Sequence, residues 1–352
     1  MVNFITASLV REAESRLLVS LKLVPFRPLF RNPHLATIAG NFWPRQLDEL
    51  RFPVTERLFS TEPGVQVLVH SQCPEGDSKA DLILVHGLEG SSQAGYARSL
   101  AQAALEAGFS VHRFNMRSCG GTEAVCGSTL YHSGQTADLL AVAKEIVREN
   151  RAPLFAIGFS LGGNVVLKLG GELGENAAGL IAGIVAVSTP LDLAACVRTL
   201  KRPVNYIYAN RFVKRLKERI RLKESLTPGS FDLEKLDRVQ TVYEFDDTFT
   251  APSFGFGTAD RYYATQSSNQ FLDSIRVPTL VVHAKDDPLI PFEVYQVAAF
   301  ERNPWIKLLA VDHGGHLGFL SKGNPRFWLD GVVVNWLKAA LSDRSVSPQV
   351  LK

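Results

Sequence analysis

The chain has 352 residues, 46% of them hydrophobic and 21% charged, which suits a soluble globular protein able to bury a large core. Its formal net charge of +3 is too small to argue for nucleic acid or a strongly anionic partner. The four cysteines, Cys73, Cys119, Cys126 and Cys196, form no C-x-x-C pair and no metal spacing with histidine, so they read as reduced thiols of a cytoplasmic protein.

In chain order, residues 1–24 predict a partly amphipathic helix, with Phe4, Ile5, Leu9, Leu17, Leu18 and Leu21 among its apolar positions. Such a helix packs on the protein's own body or touches a membrane surface peripherally. Arg11, Glu12, Glu14 and Arg16 fall where a signal peptide would be apolar. No apolar run approaches the roughly 20 residues of a transmembrane helix. Pro25, Pro28 and Pro33 predict an extended arm to Trp43, in which His34 reads as structural. Arg51 to Ser71 alternates as two antiparallel strands around Pro63-Gly64.

From Asp81 onward the pattern changes to buried strands separated by helices. Asp81–Val85 and Phe109–Phe114 read as strands, with a helix over 96–107 between them. Ser118 to Gly134 is a glycine-bearing loop, and 137–149 is a helix. Leu154–Ile157 and Ala182–Ser188 are further buried strands. This alternation predicts an α/β protein, with a mostly parallel sheet covered by helices on both faces. Residues 189–268 break the rhythm with helix formers, a basic run from Arg211 to Lys223 and many aromatics. They predict a helical lid inserted between late core strands. The basic run reads as a solvated helix face, and the aromatics as packing or as an acyl pocket. Val277–His283 and Trp305–Val311 resume the sheet, and a helix over 328–341 covers its far edge. The divisions are 1–50 (N-terminal helix and arm), 51–189 (core), 190–268 (lid) and 269–345 (core).

The chain is organised around Gly158-Phe159-Ser160-Leu161-Gly162, a G-x-S-x-G pentad between a buried strand and an apolar helical run. That context makes a sharp, strained turn that exposes the serine hydroxyl at a helix N-terminus. A serine nucleophile needs a base within hydrogen-bond reach, and the base needs a carboxylate to fix its tautomer. Asp286-Asp287 follows the next-to-last strand, and His313 and His316 follow the last. Asp-x-x-Ile-Pro favours Asp287, and the Gly314-Gly315 pair favours His316. The order Ser, acid, His after strand ends is that of the α/β-hydrolases. In those folds the turn after the earlier strand, here His86-Gly87-Leu88-Glu89-Gly90, donates an oxyanion-hole N–H. The donors would be the amides of Leu88 and Leu161.

The sequence resembles the α/β-hydrolase branch containing bacterial YheT-like hydrolases, mammalian ABHD1/ABHD3-type lipid hydrolases and yeast medium-chain ethyl-ester synthases. The resemblance rests on Asn32-Pro33-His34-Leu35, His86 to Gly90, Asn115-Met116-Arg117 with Gly120-Gly121-Thr122, and Gly158 to Asn164. It continues through Phe245-Asp246-Asp247, Phe254-Gly255-Phe256, Tyr262-Tyr263, Asp286-Asp287-Pro288 and His313 to Gly318, nearly the whole chain. One departure is Ser118, where relatives often have Gly. The resemblance implies Ser160, Asp287 and His316 as a triad and carboxylic esters or acyl lipids as substrates. The expectation is a serine esterase that needs no metal or organic cofactor. Its rivals are an acyltransferase with the same residues, in which an alcohol resolves the acyl-enzyme, and a catalytically silent lipid-binding fold.

Overall fold

A computed structural model describes residues 24–345; the helix expected over 1–24 falls almost wholly outside them. Eight strands form one sheet: β1 (Thr55–Glu62), β2 (Val65–Gln72), β3 (Asp81–Val85), β4 (Ser110–Phe114), β5 (Leu154–Phe159), β6 (Gly183–Val187), β7 (Thr279–Ala284) and β8 (Ile306–Val311). Their order is β1-β2-β4-β3-β5-β6-β7-β8. β1 pairs antiparallel with β2, and β2 with β4. From β4 to β8 every pairing is parallel.

The principal helices are α1 (Pro33–Phe42), α2 (Gly95–Glu106), α3 (Thr136–Asn150), α4 (Leu161–Leu173), α5 (Leu193–Leu200), α6 (Tyr206–Leu226), α7 (Leu233–Arg238), α8 (Val242–Phe245), α9 (Ala259–Gln266) and α10 (Trp328–Ser345). Alternation along each strand divides the core in two. Leu154 and Ala156 of β5 join the cluster with α3 and α4, while Phe155 and Ile157 join the cluster with α2 and α10. Among the described residues no helix is long and apolar enough to cross a membrane.

Three expectations are corrected here. The arm read as extended holds α1, because Pro33 occupies the first helical turn, where its missing N–H is no loss. Asn32 caps that helix, its side-chain oxygen accepting from the His34 and Leu35 amides. The C-terminal helix lies on a sheet face and not at the far edge. Trp336 meets Phe155 of β5 edge-on at 6.1 Å, and a Cβ on Gly183 would come within 2.9 Å of its ring. Its buried residues Leu329, Val332, Val333 and Leu337 need a broad apolar surface, which an edge does not offer. The basic run is only partly solvated. Lys214 and Arg215 are exposed, but Lys223 is fully buried beside Ile220, its Nζ donating to the carbonyl of Glu123 at 2.9 Å.

Between β6 and β7 the chain leaves the sheet for α5 to α9. This segment has an apolar centre of its own, in which Val213, Leu216 and Ile220 of α6 meet Val242, Phe245 and Phe249. A second small cluster joins Leu193 to Ala259, Tyr262 and Tyr263.

Candidate active site

The parallel register sets the ends of β3, β5, β6 and β7 side by side: Val85 pairs with Gly158, Phe159 with Val187, and Val187 with Val282. Residues just past these ends therefore share one rim, where open α/β sheets place ligands. Ser160 is the first residue beyond β5. Its backbone has φ 52 and ψ −121, a strained conformation for a side chain with a Cβ. The Ser160 N–H donates to the Val187 carbonyl at 2.8 Å, which fixes the turn against the next strand. The turn closes only because its flanks are bare. A Cβ on Gly158 would lie 2.1 Å from the Gly162 carbonyl oxygen, and one on Gly162 would lie 2.3 Å from that of Val85.

His316 Nε2 lies 3.0 Å from Ser160 Oγ, and His316 Nδ1 lies 2.8 Å from Asp287 Oδ2. The second Asp287 oxygen accepts from the amides of Leu289 and Ile290 at 2.8 and 3.0 Å. Burial alone would raise the Asp287 carboxyl. The facing imidazole and the donated amide outweigh it and hold the group below its ordinary value, so Asp287 is a carboxylate at neutral pH. Past Pro291 the chain makes a single 3₁₀ turn, Phe292–Tyr295.

The adjacent pair does something else. Asp286 accepts from the Gly315 amide at 2.9 Å and lies 3.1 Å from His313 Nδ1, tying the two loops together beside the Asp287–His316 contact. Of the four residues, His316 meets Ser160 and is backed by Asp287, as the sequence favoured, and Asp286 and His313 brace the loop that carries His316.

α1, missed in the sequence, supports that loop from below. Thr37 Oγ1 accepts from the His316 N–H at 2.8 Å and donates to the Pro33 carbonyl at 2.7 Å. The contact is backbone to backbone elsewhere: Cβ atoms on Gly315 or Gly318 would come within 2.5 Å of the Pro33 carbonyl oxygen or 2.6 Å of that of Ala36. The signal was present as Asn32-Pro33, an N-cap followed by N1 proline. His34 on the same helix stacks on Tyr208 of α6, its Nδ1 3.2 Å from the tyrosine hydroxyl, a bridge from α1 to the inserted segment. Ser118 has φ 62, a conformation that glycine adopts without strain. Its hydroxyl donates to the Thr129 carbonyl at 2.5 Å.

The turn after β3 lies against the serine, since a Cβ on Gly87 would sit 3.0 Å from Ser160 Cβ. In it, the Gly87 N–H donates to Tyr96 Oη and the Glu89 N–H to Tyr131 Oη, both at 2.9 Å. Among the described residues the intervening Leu88 N–H has no acceptor, and neither has that of Leu161 at the start of α4. Ser160, His316, Leu88 and Leu161 open onto an apolar cavity walled by Leu193, Val197, Leu200, Phe212, Leu216 and Phe245. A more polar cleft reaches Ser160 from outside, between α1, the β3 turn and α6. The two spaces meet at the serine, so a ligand with an apolar arm and a polar arm fits with its junction there.

The sequence profile of the family described as alpha/beta hydrolase fold matches residues 82–323. The chain is 32% identical over 336 residues to YheT of Escherichia coli (strain K12), covering 93% of this chain and 96% of that protein. It is 28% identical over 269 residues to the phospholipase ABHD3 of Mus musculus, covering 75% of this chain and 65% of that protein. Among solved structures, the Pyrococcus furiosus esterase Pf2001 matches with a TM-score of 0.55 at 20% identity, over 84% of this chain and 98% of that one, a likeness of fold. The matched span takes in Ser160 and the His316 loop, and the chain belongs to the α/β-hydrolase fold family, in the branch that holds YheT and ABHD3.

Proposed function

We propose that the protein is a serine carboxylic-ester hydrolase that works through an acyl-enzyme on Ser160, with short- to medium-chain acyl esters or lipids as substrates. The observation that carries this reading is the unbroken path Ser160 Oγ, His316 Nε2, His316 Nδ1, Asp287 Oδ2, at 3.0 and 2.8 Å, opening onto an apolar cavity. His316 takes the Ser160 proton as Oγ attacks the ester carbonyl. Asp287 holds the Nδ1 proton and stabilises the imidazolium that forms. The tetrahedral oxyanion is received by the Leu88 and Leu161 amides, each worth about 3 kcal/mol of barrier if typical of such donors. His316 then passes its proton to the leaving alcohol, and the same base activates water to release the acid.

In this reading the acyl chain lies in the apolar cavity and the alcohol portion in the outer cleft. The inserted segment α5 to α9 serves as the lid over both. The phospholipase name of the mouse relative supports an acyl-lipid substrate.

The test is pre-steady-state kinetics on p-nitrophenyl esters from acetate to decanoate. A stoichiometric burst of p-nitrophenol is expected, with kcat falling by about 10⁵-fold or more in Ser160→Ala. Turnover unchanged in that variant, or no turnover on any ester, would remove the assignment. Formation of ethyl ester with added ethanol would move the reading to acyl transfer.

A further inference from the structure

Glu89 follows Leu88 directly, and its backbone sits in the left-handed region with φ 53, which a non-glycine residue holds only when its surroundings fix it. Every polar point of the residue is held. Its N–H donates to Tyr131 Oη at 2.9 Å. The same hydroxyl donates to Glu89 Oε1 at 2.9 Å. Both carboxylate oxygens accept from the Arg219 fork, Nε and Nη2 each at 2.8 Å. Arg215 Nη1 donates to the Glu89 carbonyl at 3.1 Å. Both arginines come from α6, whereas Tyr131 comes from the loop after β4.

This arrangement is buried: Glu89 is 6% exposed and the Arg219 side chain 10%. Burial alone would lower the Arg219 guanidinium, but the acidic groups around it, Cys119 and the Glu89 carboxylate foremost, outweigh it and hold the group above its ordinary value, so it stays cationic. Burial and the same carboxylate push the Tyr131 phenol well above its ordinary value, so it remains an O–H donor. A buried ion pair is weak as a source of net stability, because desolvation offsets most of the attraction. It is strong as a geometric constraint, because a bidentate fork fixes direction as well as distance. Gly87 is anchored on one side by Tyr96 and Glu89 on the other. The peptide between them carries the one amide of the three without an acceptor among the described residues, that of Leu88.

We propose that Arg219 and Tyr131 are positioning residues that act through Glu89 to aim the Leu88 N–H at the substrate oxyanion. The inserted segment thereby completes the oxyanion site in addition to walling the cavity. The inference rests on the reading of Leu88 as an oxyanion donor. A donor that meets charge developing in the transition state affects kcat, and ground-state binding changes little.

The experiment measures kcat, KM and thermal unfolding for Arg219→Gln, Arg219→Lys, Tyr131→Phe and the double variant Glu89→Gln/Arg219→Gln. Beside them runs the affinity for a trifluoromethyl ketone whose adduct on Ser160 carries an oxyanion. The expected result is a kcat loss of about 10- to 100-fold in Arg219→Gln, a smaller loss in Tyr131→Phe, and partial recovery in Arg219→Lys. KM stays within about threefold, and ketone affinity falls in step with kcat. The double variant, which leaves no unpaired buried charge, remains slow.

A double variant that regains wild-type kcat would overturn the proposal, since the pair would then serve charge balance alone. So would losses confined to KM, with ketone affinity unchanged. If Arg219→Gln fails to fold, Tyr131→Phe, which removes one hydroxyl and leaves no bare charge, decides alone: wild-type kcat and ketone affinity there overturn the proposal. A normal wild-type burst with unaffected variants removes only this inference. Absence of the burst in wild type removes the esterase reading and this inference with it.

Discussion

The two sides of the cleft are held in different ways. On one side Ser160, Asp287 and His316 each stand a few residues beyond a buried parallel strand, so sheet register sets their separations. On the other side α5 to α9 pack around small centres of their own. They meet the core through separate polar contacts: Arg219 on Glu89, Tyr262 Oη on Ser133 at 2.8 Å, and Asn164 between the Gln266 carbonyl and the Ser268 amide. In the proposed mechanism the strand-end side carries the groups that exchange protons. The inserted side shapes the apolar wall. Damage to the first should appear in kcat by orders of magnitude, and damage to the second in selectivity or in smaller rate changes.

The largest expected effect lies on the strand-end side. Asp287→Asn should lower kcat by about 10³- to 10⁴-fold, because the imidazole loses the acceptor that fixes its tautomer. The neighbouring Asp286→Asn should cost less than about tenfold, since it only braces the loop. Steady-state kinetics on one ester measures both, and equal losses would break the distinction between the two pairs. Next comes Thr37→Val, which leaves the His316 N–H without its acceptor. A buried donor left unpaired costs about 1–3 kcal/mol, read as a lower midpoint in urea together with a kcat loss of roughly tenfold. Full activity and stability in this variant would detach α1 from the site.

On the inserted side, Val197→Phe narrows the cavity wall. It should leave acetate turnover within about twofold and cut kcat/KM for the longest accepted ester by tenfold or more, since each methylene is worth about 1–3 kcal/mol in such a pocket. An unchanged chain-length profile would place the acyl chain elsewhere. The smallest effect on activity belongs to Asp246 in the same wall. Burial pushes its carboxyl up to about 6, although Tyr263 and Thr250 donate to it at 2.6 and 2.7 Å. The folded value lies above the unfolded one near 3.8, so folding binds the proton. The associated stability is complete below about pH 4 and is lost as pH rises through about 6. Unfolding free energy relative to Asp246→Asn should therefore drop by up to about 3 kcal/mol from pH 4 to pH 7. A flat difference would show that the carboxyl is not desolvated.

The strained turn at Ser160 and the departure at Ser118 show how far local chemistry reaches. The backbone at Ser118 has φ 62, and the residue type did not announce that conformation. Proline misled in the other direction. Pro33 reads as a breaker until Asn32 is taken as its cap, and then the same two residues start a helix. The basic run on α6 misled because charge was read without helical phase. Arg219 and Lys223 are four residues apart and turn inward with Leu216 and Ile220.

The sequence by itself determined the parallel strands, the pentad turn and the order of acid and histidine, because each is encoded within a few residues: short apolar runs buried on both faces, glycines where backbones touch, a polar residue just past a strand end. The tertiary structure alone decided that Asp286 and His313 pair beside the Asp287–His316 contact, that α1 supports the His316 loop, that the last helix covers a face, and that Arg219 reaches Glu89. Those contacts join residues from 27 to 279 positions apart, and the side chains that make them carry no periodicity that points to a partner. Only the packing of sheet, α1 and insertion brings their charges and donors within hydrogen-bond reach.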